Sequence, residues 1–163
     1  MENRYLLSLD GGGVRELATV TFLAKFEKEL GKPLHEQFDF FMGTSAGAIT
    51  AMALSVVKMS GADLVEFWSE KNLDRILEAS LWDSQLGLMQ TNPKYEGEGK
   101  KQVFTEYFGN LKLGDARGEV AVMSYDIEER KPLLLTSYND SNISIVDAGI
   151  ATSAAPIYFP TAK

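Results

Sequence analysis

Five consecutive residues, Gly43-Thr44-Ser45-Ala46-Gly47, have the spacing Gly-x-Ser-x-Gly. A serine hydroxyl is a weak nucleophile until its surroundings position it and take its proton. A sharp strand-to-helix turn can do the positioning. It strains the backbone, exposes the hydroxyl at the sheet edge and needs glycines on either side to avoid clashes. The sequence offers that context. The apolar run Phe38 to Met42 reads as a strand before the turn, and the nearly all-apolar stretch Ala48 to Met59 reads as a buried helix after it. Such a helix also directs its positive end at Ser45. The plainer alternative is a serine that caps a helix beginning near Ala46.

A second group, Asp10-Gly11-Gly12-Gly13-Val14-Arg15, lies between the apolar run Arg4 to Leu9 and a helical pattern starting at Leu17. Three successive glycines let backbone N–H groups converge on one anion. If the two apolar runs are parallel neighbours, this loop and the serine turn share one sheet edge. Donors on the loop could then face an oxyanion formed at Ser45. A nucleotide-phosphate loop is the competing reading. It lacks the lysine of a Walker-type loop and the Rossmann glycine spacing.

The proton acceptor is harder to find. The single histidine, His35, precedes the strand that Ser45 follows, and five strand residues span roughly 16 Å. A Ser-His pair is therefore not expected, and the base should be a carboxylate. Asp10, Asp39, Asp63, Asp126 and Asp147 are the candidates weighed, and none is compelling from position alone.

These groups need an α/β scaffold to hold them. Arg4 to Leu9 reads as a buried strand. Leu17 to Leu30 reads as an amphipathic helix with Val20, Leu23, Phe26 and Leu30 on its apolar face, stopped by Gly31 and Pro33. Ala62 to Leu77 reads as one further helix. Ala79 to Lys101 reads as a long surface excursion in which Leu81, Trp82, Leu86, Leu88 and Met89 could form an apolar patch for membrane contact or simply pack on the core. Gln102 to Phe108 is expected as a short helix, Glu119 to Asp126 and Leu133 to Tyr138 as strands joined by a charged turn, and Ile145 to Ser153 as a helix. Alternating strands and helices imply right-handed parallel units. The expected fold is a single α/β domain over residues 1–163, with a mainly parallel central sheet flanked by helices.

Composition narrows the partners. With 16 basic and 23 acidic residues the net charge is −7, which disfavours nucleic acid and gives no general pull toward anionic membranes. The chain has no cysteine, so a disulfide scaffold, a thiolate metal site and a cysteine nucleophile are excluded. The start lacks the apolar run of a secretory leader, and no stretch reaches about eighteen consecutive apolar residues. A cytoplasmic location is expected, with no metal or cofactor.

Together the motifs resemble the N-terminal part of a patatin-like phospholipase domain of bacterial type. The resemblance rests on Asp10 to Arg15, on Gly43 to Gly47, on Tyr95-Glu96-Gly97-Glu98-Gly99-Lys100-Lys101, and on Ala151-Thr152-Ser153-Ala154-Ala155-Pro156-Ile157-Tyr158-Phe159-Pro160, in that order along essentially the whole chain. It implies a three-layer fold and hydrolysis of glycerolipid or phospholipid esters by a Ser-Asp dyad. Ser45 would be the nucleophile, between the elbow glycines Gly43 and Gly47. Gly11, Gly12 and Gly13 would form the oxyanion hole, with Arg15 supporting that loop. Two positions depart from the pattern. The family's catalytic aspartate lies in an Asp-Gly-Gly or Asp-Gly-Ala motif after the Ala-Ala-Pro segment, whereas this sequence ends at Lys163 before any such motif, as a truncated domain would. Glu16 stands where the family has a small glycine, and a carboxylate beside an oxyanion hole would be repulsive. A catalytically inactive lipid- or anion-binding module is accordingly the alternative, and a nucleotide-binding protein ranks third.

Overall fold

The computed structural model describes residues 3–77 and 98–155. Strands β1 (Leu6–Leu9), β2 (Phe40–Thr44), β3 (Glu119–Asp126) and β4 (Lys131–Thr136) form one sheet in that order. The first three are parallel, and β4 returns antiparallel to β3. The helices are α1 (Glu16–Leu30), α2 (Ala46–Met52), α3 (Gly61–Phe67), α4 (Glu70–Ile76), α5 (Glu98–Phe108) and α6 (Ile145–Thr152). The mainly parallel sheet flanked by helices is the architecture the sequence implied.

The register decides where chemistry can occur. Leu9 is opposite Gly43, and Thr44 is opposite Met123. The parallel strands β1 and β2 therefore finish level with each other, and the loops that follow them emerge on one edge. In α/β sheets this carboxyl edge is where ligands bind. The buried side chains Leu9, Phe41, Val120 and Val122 line the sheet face beneath α2, which is itself buried along its whole length. A π-helical turn, Ala53–Val57, continues α2 and ends at Lys58 in a left-handed conformation.

Several expectations change in the fold, among them the last strand, which runs over Lys131–Thr136 rather than Leu133 to Tyr138. The first strand begins at Leu6, and Leu6 remains 55% exposed, so β1 is buried on one face only. Helix α1 turns differently from its apolar pattern. Glu16, Val20 and Leu23 are buried, while Phe26 and Leu30 face outward and Phe22 is 64% exposed, stacked on Phe26. The rotation follows from close helix packing, because Gly61 at the start of α3 sits against the backbone of Ala24. Finally, the helix expected over Ala62 to Leu77 is two helices, α3 and α4. At the break the adjacent residues Phe67 and Trp68 both enter the core. Phe67 packs against Phe104, Tyr107 and Phe108, and the Trp68 indole N–H donates to the Thr50 hydroxyl over 3.1 Å. Helix α5 already includes Glu98, so the surface excursion ends earlier than Lys101. The patch residues Leu81 to Met89 and the segment Pro156 to Lys163 lie outside the described residues.

Candidate active site

Ser45 occupies the single residue between β2 and α2. Its backbone angles are φ 53° and ψ −125°. A positive φ is uncommon for any residue with a Cβ, and such strained conformations cost on the order of 1–3 kcal/mol and cluster at functional sites. The serine side chain makes no capping bond to α2, so the plain helix-cap reading does not describe it. Ser45 is half-buried.

The strained turn depends on tight backbone contacts. Gly47 packs against the carbonyls ending β1: a Cβ there would fall 2.6 Å from the Asp10 oxygen and closer still to that of Leu9. Gly43 is similarly crowded by the backbone of Gly47 and Ala48. The same closeness joins the two loops. A Cβ on Gly11 would lie 3.1 Å from the Ser45 Cβ and 2.8 Å from the Thr44 carbonyl oxygen. The glycine loop thus lies directly against the serine turn. Gly12 precedes a single 3-10 turn, Gly13–Arg15, with Gly13 in the left-handed region at φ 58°. The Gly12 carbonyl accepts both the backbone N–H and the side-chain Nε–H of Arg15, each at 3.3 Å, which ties the loop to the start of α1.

The titratable groups sort by position. His35 lies in the turn before β2, at the far end of the strand from Ser45. Asp39 is at that same far end and accepts the Tyr5 N–H over 2.8 Å. Asp63 caps α3 with Ser60, and hydrogen bonds from Ser60 hold its carboxyl below the ordinary range. Asp126 accepts the amides of Glu128 and Glu129 in the β3–β4 turn. Asp10 and Asp147 are exposed.

Glu16 does not project beside the glycine loop as a solvated charge. It is 1% exposed, its side chain meets the Thr50 hydroxyl on α2, and Oε1 has no hydrogen-bond partner. Burial raises its pKa, which favours the neutral acid and offsets the expected repulsion. A second buried ionisable group, Lys100 on α5, is pushed down to about 8 by burial, and it donates to the carbonyl and hydroxyl of Ser153. Among the described residues no cluster of acidic and histidine side chains could hold a metal, and no helix is long and apolar enough to cross a membrane.

The motif order along the chain matches one family. The patatin-like phospholipase pattern covers residues 7–163. The chain belongs to the patatin-like phospholipase family. Among characterised relatives it is 34% identical to a cGAMP-activated phospholipase of Pseudomonas aeruginosa, over 98% of this chain and 49% of that one. It is 32% identical to patatin-like protein 4 of Arabidopsis thaliana, over 97% and 44%, and 31% identical to a protein of Solanum tuberosum named probable inactive patatin-3-Kuras 1, over 95% and 44%. The chain therefore spans about half the length of these relatives. Its fold is similar to VipD from Legionella pneumophila, with TM-score 0.65 and 12% identity over 98% of this chain and 44% of VipD. It is also similar to ExoU of Pseudomonas aeruginosa, solved with SpcU, with TM-score 0.57 and 17% identity over 96% and 39%.

Sequence reasoning missed one contact at this site. The Ser45 N–H donates to the hydroxyl of Thr152, 107 residues away, over 2.8 Å, and that hydroxyl donates to the Met123 carbonyl. Thr152 lies within the Ala-Thr-Ser-Ala-Ala-Pro segment that carried the resemblance, but nothing local to that segment shows which amide it meets.

Proposed function

We propose that the full protein is a serine acyl hydrolase that cleaves glycerolipid esters, phospholipids among them. The Ser45 Oγ attacks the ester carbonyl carbon as a carboxylate takes its proton. The carbonyl oxygen becomes an oxyanion that the amides of Gly11, Gly12 and Gly13 receive, on a loop braced by Arg15. Collapse expels the alcohol half, which leaves with the proton, and the acyl group stays on Ser45. Water, deprotonated by the same carboxylate, then releases the fatty acid and restores the serine. The carboxylate in this scheme is the family's aspartate of the Asp-Gly-Gly or Asp-Gly-Ala motif. Gly43 and Gly47 leave room for the turn. The observation that carries the reading is the strained conformation of Ser45 on a strand-to-helix turn that Gly11 touches. Family membership and a relative named as a phospholipase support the substrate class.

Access to such substrates requires transient contact with a lipid surface. The exposed Val14 and Leu17, next to the glycine loop, support that contact. A cytoplasmic location belongs to the same proposal, and the absence of cysteine is consistent with it.

A fluorophosphonate probe on the full protein is the test. It should label wild type and leave Ser45→Ala unlabelled. A folded wild type that resists the probe overturns the reading. In that case the protein is a non-catalytic lipid- or anion-binding module. Hydrolysis of a short-chain ester by the full wild type rejects that alternative.

A further inference from the structure

We propose that Thr152 is a positioning residue for the nucleophile turn: its hydroxyl replaces the ladder bond that β2 loses at Ser45. The proposal rests on reading Ser45 as the nucleophile. The last paired residues of β2 and β3 are Thr44 and Met123. In a parallel ladder the next bond would run from the N–H of residue 45 to the carbonyl of residue 123. The chain instead turns sharply at Ser45, and the Thr152 Oγ stands between those two groups. It accepts from the Ser45 N–H and donates to the Met123 carbonyl. One hydroxyl thus satisfies both backbone groups while permitting the strained φ and ψ of the serine.

Such a tie is useful only if Thr152 is itself fixed, and both of its neighbours are. The carbonyl of Ala151 accepts the Ser124 hydroxyl of β3 over 3.1 Å. The Ser153 hydroxyl donates to the Gly149 carbonyl over 2.6 Å and accepts from the Lys100 ammonium over 3.0 Å. Strand β3, helix α5 and the end of α6 therefore hold the threonine from three sides. Strain at a reacting residue persists only where the surroundings over-determine it. Thr152 provides that restraint at the amide of Ser45, while Gly11 and Gly47 provide it by contact.

The test uses the full protein, two variants and the wild type. Thr152→Val keeps the shape and removes the hydroxyl; Thr152→Ser keeps the hydroxyl and removes the methyl. The maximal rate of fluorophosphonate labelling should fall at least tenfold in Thr152→Val with the half-saturating probe concentration within about twofold of wild type. Thr152→Ser should restore the rate to within about threefold. Wild-type labelling by Thr152→Val overturns the proposal, as does an equal loss in both variants. Should Thr152→Val fail to fold, amide exchange in the wild type decides. The Ser45 N–H should exchange at least a hundredfold more slowly than a free amide, and an unprotected amide refutes the tie. Absence of labelling in wild type would remove the hydrolase reading instead, and the exchange measurement would still judge the tie.

Discussion

The carboxyl of Glu16 meets the hydroxyl of Thr50 at the contact between α1 and α2, and that hydroxyl also accepts the indole N–H of Trp68. A buried acid, an alcohol and an indole thus join three helices next to the glycine loop. The carboxyl is held above its ordinary value of 4.5 by burial, so over an interval of pH the folded chain keeps a proton that the unfolded chain has lost. The stabilisation is complete below that ordinary value and is lost as pH rises through the folded one. Glu16→Gln keeps the size and cannot ionise. It should melt above wild type at pH 8, by about 2–4 °C for each kcal/mol gained. The difference should close toward pH 4. Thermal unfolding at pH 4, 6 and 8 measures this, and a difference independent of pH would refute it.

Ser45→Gly should separate strain from activity. Glycine adopts φ 53° without steric cost, while its unfolded chain is more flexible by roughly 0.5–1 kcal/mol. Against strain of about 1–3 kcal/mol the balance favours the variant. Denaturant unfolding of Ser45→Gly should show a midpoint at or above wild type, with probe labelling abolished. A clear loss of stability would mean that the serine is not strained.

Gly11 and Gly47 should respond differently to alanine. At Gly47 the added methyl meets the backbone carbonyls of Leu9 and Asp10, which are held in the sheet and its exit and cannot easily withdraw. Gly47→Ala should cost about 1–3 kcal/mol or more. At Gly11 the methyl meets Thr44 and Ser45 from an exposed loop that can retreat. Gly11→Ala should melt within a few degrees of wild type yet label at least tenfold more slowly. Paired melting and labelling curves check both.

Lys100 gives a prediction of opposite sign to Glu16. The residue is 3% exposed, and burial pushes its ammonium from 10.5 down to about 8. Between those values the unfolded chain holds more protons, so stability rises with pH across that window. Relative to Lys100→Met, wild type should gain up to about 3 kcal/mol between pH 8 and 10.5. Urea unfolding of the two proteins along that range is the measurement, and parallel pH profiles would refute it.

The parts of the site legible in the sequence are those written over a few consecutive residues. Gly43 to Gly47 and Asp10 to Gly13 announce their turns because glycine has few other reasons to recur at that spacing, and the apolar runs around them name the strands and helices. The unread parts depend on partners distant in the chain. The outward set of Phe22 and Phe26 follows from Gly61 seating on Ala24, and the break after Phe67 follows from Trp68 reaching Thr50. The raised pKa of Glu16 follows from its burial against a helix that starts thirty residues later. Periodicity within one segment contains none of these.

The bond from Ser45 to Thr152 also sets an order of events during synthesis. The serine is made early, and its amide has no hydroxyl to meet until more than a hundred further residues have left the ribosome and α6 has docked on β3. A nascent chain therefore has Ser45 without this tie, which forms only with the long-range closure of the fold.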